Sequence, residues 1–180
     1  MPGLYSFLQD IGAGLLYWVP TLCLILGCAT ILGGLVMLHE IGQRNDTSVV
    51  SLGKIVGVMS IGALLFAPAA TVNMVGQTAG SNRLAHIGGE ERMRAEVPSA
   101  DELQGKTLAE IVQAFLTPMD PFFDGYGMLF IIIAAMRLKA RIKGVPGPTL
   151  GGCLIMFLGA IAVIHFDEIA PWAVTQLRLQ

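Results

Sequence analysis

The chain has 180 residues, of which 54% are hydrophobic and only 13% are charged, and its formal net charge is −2. Soluble domains carry about 25% charged residues, so this chain cannot build the charged surface that a domain of its size needs in water. The composition also excludes a disordered chain, and three cysteines are too few for a disulfide scaffold. Without a net positive charge, we expect no direct contact with nucleic acid. The class that remains is an integral membrane protein.

Two long apolar runs without a charged residue lie in the first half of the chain. They cover residues 13–38 and residues 55–75. About 20 apolar residues, each rising 1.5 Å along a helix, cross a bilayer, so both runs predict membrane spans. Pro68 and Asn73 weaken the far end of the second run, so the end of that span is less sharply predicted.

Two shorter apolar runs in the second half, residues 122–136 and 149–163, predict a further helical hairpin. The last run reaches Val174 only by crossing Asp167 and Glu168. The predicted fold class is therefore an all-α integral membrane protein with about four transmembrane helices in two hairpins. The predicted divisions are a first hairpin over residues 1–75, a polar segment over residues 76–121, and a second hairpin over residues 122–180.

The polar middle segment carries the signals of a short amphipathic helix. Ser99 and Glu102 fit a capping box, and Thr107 offers a second start. After Thr107, apolar residues follow at helical spacing on one face: Leu108, Ile111, Val112 and Phe115. Two interpretations remain open, a soluble helix packed on its own loop and an interfacial helix lying on the membrane or on a partner.

Basic residues in the loops predict the orientation of the chain. Residues 137–148 contain four bases and no acid, and residues 39–54 contain Arg44 and Lys54, whereas the middle segment is predominantly acidic. Because cytoplasmic loops are enriched in Lys and Arg, both basic loops are predicted to be cytoplasmic. The middle segment and both termini are then periplasmic, in a multi-pass protein of the bacterial inner membrane.

Glycines are placed where helices can approach one another closely. Small residues bring helix backbones into contact in lipid, where association depends on packing rather than on the hydrophobic effect. The candidate helix-packing residues are Gly33, Gly34, Gly53, Gly57, Gly152 and Gly159. They can serve packing within this chain or packing against other subunits, including further copies of the chain.

The two halves also share a short pattern, because Ser51-Leu52-Gly53 matches Thr149-Leu150-Gly151. Each of these triplets follows an apolar run and a short basic loop, and each opens the next apolar run. Two parallel hairpins that arose by duplication would show this pattern. Coincidence remains the alternative, because Gly, Ala and Leu are abundant in every membrane span.

The strongest local charge signal is a basic cluster at the end of the third run, formed by Arg137, Lys139, Arg141 and Lys143. If the helix continues, residues two apart point in nearly opposite directions, so the charges surround the helix. That arrangement suits anionic lipid headgroups. Contact with an acidic cytoplasmic partner is the alternative.

Motifs for catalysis are missing from the sequence. His39-Glu40 begins like a zinc-protease motif, but position 43 is Gln. All three cysteines lie within apolar runs, and the phosphate-binding loop and the serine nucleophile elbow are both missing. We therefore expect a protein that is not an enzyme and that has no catalytic, cofactor-binding or metal site. His165, Asp167 and Glu168 cluster at the end of the fourth run and leave a proton relay as the alternative.

The stretch GYGMLFIIIAAMRLKARIKGVPGPTLGGCLIMFLGAIAV, within residues 125–171, joins an apolar helix, a basic R-L-K motif, a Gly/Pro turn and a second apolar helix. It resembles the small inner-membrane components of type IVB secretion systems, of the IcmC/DotE type, and the TraQ-like conjugal transfer proteins of IncI plasmids. The resemblance implies a non-enzymatic structural subunit of a conjugative DNA transfer or secretion apparatus, with other membrane subunits as partners. A small channel or ion-coupled transporter is the alternative function.

Overall fold

The computed structural model describes residues 2–44, 49–78, 80–81, 98–99 and 101–177, and almost all of these residues are helical. No strand occurs within these ranges. The described residues form seven α-helices: α1 (Pro2–Arg44), α2 (Val49–Phe66), α3 (Pro68–Thr78), α4 (Leu108–Leu116), α5 (Asp120–Ile142), α6 (Leu150–Ile164) and α7 (Phe166–Gln176).

The apolar helices indicate a membrane-embedded protein. In the part of the chain that the structure describes, two segments are long and apolar enough to cross a bilayer, Tyr5–Gln43 and Leu108–Ile142. The number rises to four if α2 with α3, and α6 with α7, each form one bent span. Tyr17 and Trp18 are 66% and 63% exposed near the start of the charge-free run of α1. Aromatic rings with a polar edge favour this position, where the hydrocarbon meets the headgroups.

Helix α2 packs antiparallel against the C-terminal half of α1. A Cβ at Gly27 would lie 3.0 Å from both the Gly62 carbonyl oxygen and the Phe66 nitrogen. A Cβ at Gly34 would lie 2.7 Å from Cγ of Met59. Residue numbers rise along α1 and fall along α2 from one contact to the next, which defines the antiparallel direction.

Helices α4 and α5 run parallel to α1 in a constant register. The Tyr5 hydroxyl donates to the Phe115 carbonyl, and the Gln9 amide donates to the Pro118 carbonyl at 3.3 Å. A Cβ at Gly12 would lie 2.5 Å from the Phe122 nitrogen. The sequence separation is 110 for the first pair and 109 for the second, and it stays constant because both helices advance in the same direction.

Helix α6 returns antiparallel along α5 and completes the core. A Cβ at Gly127 would lie 2.9 Å from the Ala160 carbonyl oxygen, so the two backbones nearly touch. The core lies where α1, α2, α5 and α6 meet, and its fully buried members include Cys23, Leu65 and Met128. Burial here reflects tight packing, since lipid is as apolar as the core itself.

Two pairs of consecutive helices meet at bends of nearly 90°. The angle is 91° between α2 and α3 and 84° between α6 and α7. The first bend lies at Ala67, because Pro68 has no N–H to continue the ladder of α2 and instead begins α3. The Ala67 carbonyl still accepts the Thr71 N–H at 3.2 Å, so the break costs few backbone hydrogen bonds. The second predicted run is therefore broken rather than straight.

The second bend lies at His165, whose N–H donates to the Ile161 carbonyl at 3.1 Å. Beyond it, α7 contains Asp167 and Glu168 in its first turn, so the chain stays helical across both acids in a new direction. Helices α3 and α7 both have 11 residues. The bend at Ala67 follows Ser51 by the same number of residues as the bend at His165 follows Thr149. The similarity between the two halves therefore extends beyond the S/T-L-G triplets.

The predicted amphipathic helix begins at Thr107, the second of its two candidate starts. The Thr107 N–H donates to a Glu110 carboxylate oxygen at 2.7 Å, and the Glu110 N–H donates to the Thr107 hydroxyl at 3.4 Å, which completes the capping box. Near Ser99, by contrast, only a 3-10 turn forms, over Asp101–Leu103. Helix α4 packs against α7 and leads through a second 3-10 turn into α5.

We predict that Gly12→Ala destabilises the protein by about 1–3 kcal/mol, because the new methyl group overlaps the backbone of α5. Gly14→Ala is the matched control on the same helix, because a Cβ at that position has no atom within 4 Å. It should be neutral or stabilising by up to about 1 kcal/mol through helix propensity. Reversible unfolding in detergent measures both changes, and equal effects would contradict the close contact between α1 and α5.

Candidate functional site

The structure divides the predicted packing glycines into two groups. Gly34 lies against Met59, and a Cβ at Gly57 would lie 3.0 Å from Cδ1 of Ile142, so both contribute to contacts within the chain. A Cβ at Gly33, Gly53 or Gly159 would have no atom within 4 Å. At Gly152 a Cβ would meet only the hydroxyl of Thr149, the N-cap of its own helix.

The closest helix crossings use glycines that the sequence motifs did not single out. These are Gly12 and Gly125 between α1 and α5, Gly27 and Gly62 between α1 and α2, and Gly127 between α5 and α6. Each of these contacts joins two different helices, whereas a G-x-x-x-G motif describes the spacing of glycines along one helix. The sequence therefore had no signal that could select them.

The basic cluster does not act as one group. Helix α5 continues to Ile142, as the charge-ring interpretation requires. Arg137, Arg141 and Lys143 are exposed. The Lys139 ammonium group instead points towards α1 and donates to the Thr30 hydroxyl at 2.8 Å. Lys139 thus connects two parallel helices, whereas the other three bases of the cluster are exposed.

A buried polar region surrounds the second bend. His165 is 4% exposed, and its Nδ1 lies 3.2 Å from the Ser81 hydroxyl. Gly76 of α3 makes room for the imidazole, because a Cβ there would lie 2.6 Å from His165 Nε2. The polar region is therefore built from both bent helices, since α3 follows the first bend and His165 forms the second.

Three aspartates are also buried at this end of the bundle. Asp120 and Asp124 of α5 are 5% and 2% exposed, and Asp167 of α7 is 9% exposed. Asp120 falls within the predicted polar segment and Asp124 near the start of the third apolar run, and neither pattern indicates that α5 buries both side chains. Glu168 is half-buried.

The contacts between α1 and α5 define the depth of these acids. Gly12 lies beside Phe122, and Leu15 lies beside Gly125. Asp124 therefore lies at the same depth as the first residues of the charge-free run of α1. That run extends to residue 38. The buried acids therefore lie near one end of the apolar layer rather than at its middle, where ionisable groups usually mark a transport pathway.

The described part of the chain contains no group of three His, Cys, Asp or Glu side chains that could hold a metal ion. Gln43 occupies the position of the missing second histidine, and its Nε2 lies 3.0 Å from Nε2 of His39. All three cysteines are free thiols, with Cys23 and Cys153 buried and Cys28 partly buried. These thiols act as small apolar side chains in the packing between helices.

Comparison with known proteins gives no family, since no family model, no curated protein and no solved structure matches the chain. What the protein does is therefore inferred from its own residues. Three features distinguish it: open glycines on membrane helices, an exposed basic end, and buried acids near the edge of the apolar layer.

We predict that Thr30→Val destabilises the protein by about 1–3 kcal/mol, because it leaves the Lys139 ammonium group without its acceptor. Lys139→Met should cost a similar amount by leaving the buried Thr30 hydroxyl without its donor. The double variant should lose far less than the sum of the two, because an apolar pair needs no hydrogen bond. A double-mutant cycle measured by unfolding in detergent tests this, and strictly additive losses would disprove the interaction.

Proposed function

We propose that the protein is a non-enzymatic structural subunit of a bacterial inner-membrane apparatus for conjugative DNA transfer or type IVB secretion. The resemblance of residues 125–171 to the small membrane components of such systems supports the class of apparatus. The open glycines support the structural role. Other membrane subunits of the apparatus, further copies of this chain and membrane lipids are the proposed partners.

The observation that carries the structural role is the open space at Gly33, Gly53 and Gly159. Glycine in a helix costs about 1 kcal/mol relative to alanine, and the buried glycines recover this cost by allowing helices to touch. These three glycines gain no such contact within the described part of the chain. Contact with a helix of another subunit would supply the missing gain, and small residues are what such contacts use.

A small ion-coupled carrier or channel is the second candidate, and the buried Asp124, His165 and Asp167 favour it. Two bent helices also meet near these residues, as in carriers whose substrate sites lie at broken helices. The depth of the acids favours the structural role, since they lie near one end of the apolar layer.

In the proposed orientation both basic loops are cytoplasmic and the termini are periplasmic. Reporter fusions after Arg44, Gly88 and Lys143 should then indicate cytoplasm, periplasm and cytoplasm, because the basic loops remain inside. The parallel direction of α1 and α5 independently requires the reporters at Arg44 and Lys143 to agree. A cytoplasmic signal at Gly88 would contradict the proposed topology.

We predict that Gly33→Leu and Gly159→Leu reduce transfer at least ten-fold while membrane level and stability stay unchanged, because the leucine blocks a contact between subunits. Gly→Ala at the same two positions should retain most transfer. Gly42→Leu is the matched control, since Gly42 is equally open but lies outside the charge-free run. Conjugation frequency measures the effect, and normal transfer by both leucine variants would refute the role of the open glycines.

The two candidate functions are separated by neutralising the acids and the histidine at the second bend. The triple variant His165→Gln, Asp167→Asn and Glu168→Gln should keep transfer within about three-fold of the wild type, because a structural subunit does not need these groups to titrate. A carrier would lose all function. Transfer frequency at matched membrane level distinguishes the two results.

A further inference from the structure

An apolar cavity of about 260 Å³ lies where α2 and α6 both pack against α5. Its walls include Ile61 and Leu64 of α2, Ala134 and Leu138 of α5, and Leu150 and Leu154 of α6. Leu150 and Leu154 are 68% and 58% exposed, so the cavity opens sideways between the helices. In a membrane this opening faces the hydrocarbon chains of the lipids.

Basic residues lie at one end of the cavity on two of its three walls. Arg141 follows Ala134 by seven positions and Leu138 by three, which places it on the cavity face of α5, one turn further on. Lys54 precedes Ile61 by seven positions and lies on the matching face of α2. Gly57 makes room for Ile142 at this level, so the two faces meet beside the bases.

Within the three helices that form the cavity, the charged residues at this end are all basic. Lys54, Arg141 and Lys143 are exposed, and Lys143 ends α5 as its C-cap. No acidic residue occurs within residues 49–73 or within residues 125–166, which include all three walls of the cavity. An anion at this position therefore meets no opposing carboxylate from the helices that form the cavity.

We propose that this cavity binds one anionic phospholipid, with an acyl chain between α2, α5 and α6 and the phosphate at Lys54, Arg141 and Lys143. An acyl chain matches the apolar walls, and an anionic headgroup matches the positive end. A helix of another protein would match the walls alone and would leave the three bases without a counter-charge. Clusters of bases at the end of an intramembrane groove bind anionic headgroups in this way.

The site goes beyond general attraction of the basic loop to the membrane surface, because it joins bases from two separate helices to one cavity. Lys54 lies far from the R-L-K motif in the sequence and belongs to the site only through the packing of α2 on α5. Each base near the surface changes the affinity for anionic lipid about five-fold, so removal of two bases should weaken binding about 25-fold.

The test uses the full-length protein, purified in mild detergent and stripped of lipid. Phosphatidylglycerol or phosphatidylethanolamine with identical acyl chains is then added, and native mass spectrometry counts the bound lipids. The expected result is one tightly bound phosphatidylglycerol and weaker binding of phosphatidylethanolamine. Lys54→Gln with Arg141→Gln should weaken phosphatidylglycerol binding about 25-fold and leave phosphatidylethanolamine unchanged, whereas Lys106→Gln should change neither.

A second pair of variants tests the apolar part of the site without altering charge. Leu154→Trp at the mouth should weaken the binding of both lipids, and Leu158→Trp, equally exposed on α6 but outside the cavity wall, should not. Equal affinity of the wild type for the two lipids would overturn the proposal, as would an unchanged affinity in the double charge variant. A dimer that Leu154→Trp disrupts, with lipid binding unaffected, would assign the cavity to a second copy of the chain.

Discussion

The contact between the backbones of α1 and α5 determines how the rest of the molecule is arranged. At Gly12 a single additional carbon atom would lie 2.5 Å from the Phe122 nitrogen, and at Gly125 it would lie 2.7 Å from Cβ of Leu15. Two helices can approach this closely only where one of them has a small residue such as glycine at the contact. Because the contact is parallel, it also determines that the two longest apolar segments advance in the same direction.

The remaining helices pack on different parts of this pair. Helix α2 packs on the C-terminal half of α1, from Gly27 onwards, while the closest backbone contacts of α5 lie on the N-terminal half, at Gly12 and Leu15. Phe66, the last residue of α2, packs against Gly27, midway along α1, so the chain must change direction there to reach the far end of the bundle. Pro68 permits that change at little cost in backbone hydrogen bonds, and α3 then places Gly76 against His165.

The same arrangement explains why polar groups are buried at one end and an apolar cavity opens at the other. Helix α3 brings Gly76 and Ser81 to the second bend, where His165 finds a hydrogen-bonding partner rather than lipid. At the opposite end α2 and α6 rest on α5 from different directions, and the cavity lies where their side chains do not meet.

Much of the helical content could be predicted from sequence, because charge-free runs and capping residues are local signals. The run over residues 13–38 predicted α1, and Thr107 was one of the two predicted starts of the amphipathic helix, although the predicted capping box was that of Ser99 and Glu102. The direction of a bend is not a local property: Pro68 indicated a weak point, whereas the angle of 91° depends on what α3 packs against. Pro68 therefore predicted the position of the break but not its angle.

The candidate site residues were less predictable for the same physical reason. Gly33 and Gly34 are neighbours with the same chemistry, yet only Gly34 contacts another helix, because a rotation of 100° separates their faces. Lys139 looks like its neighbours Arg137 and Arg141 in the sequence, and only the position of Thr30 on α1 distinguishes it. Which face meets which helix depends on the tertiary structure.

The most direct test of the central contact is a disulfide between α1 and α5 in native membranes. With Cys23, Cys28 and Cys153 replaced by alanine, Leu15→Cys and Gly125→Cys should cross-link on mild oxidation. A Cβ at position 125 would lie 2.7 Å from that of residue 15, and a shift of about 1 Å between the helices gives the separation that a disulfide needs. The control pair is Leu15→Cys and Gln113→Cys, two positions with the same separation in sequence as Ser51 and Thr149, the first residues of the two S/T-L-G triplets. These two positions would be adjacent only if the halves packed in the register of the triplets, so this pair should not cross-link. Cross-linking of the control pair in place of the first would contradict the arrangement of the two parallel helices.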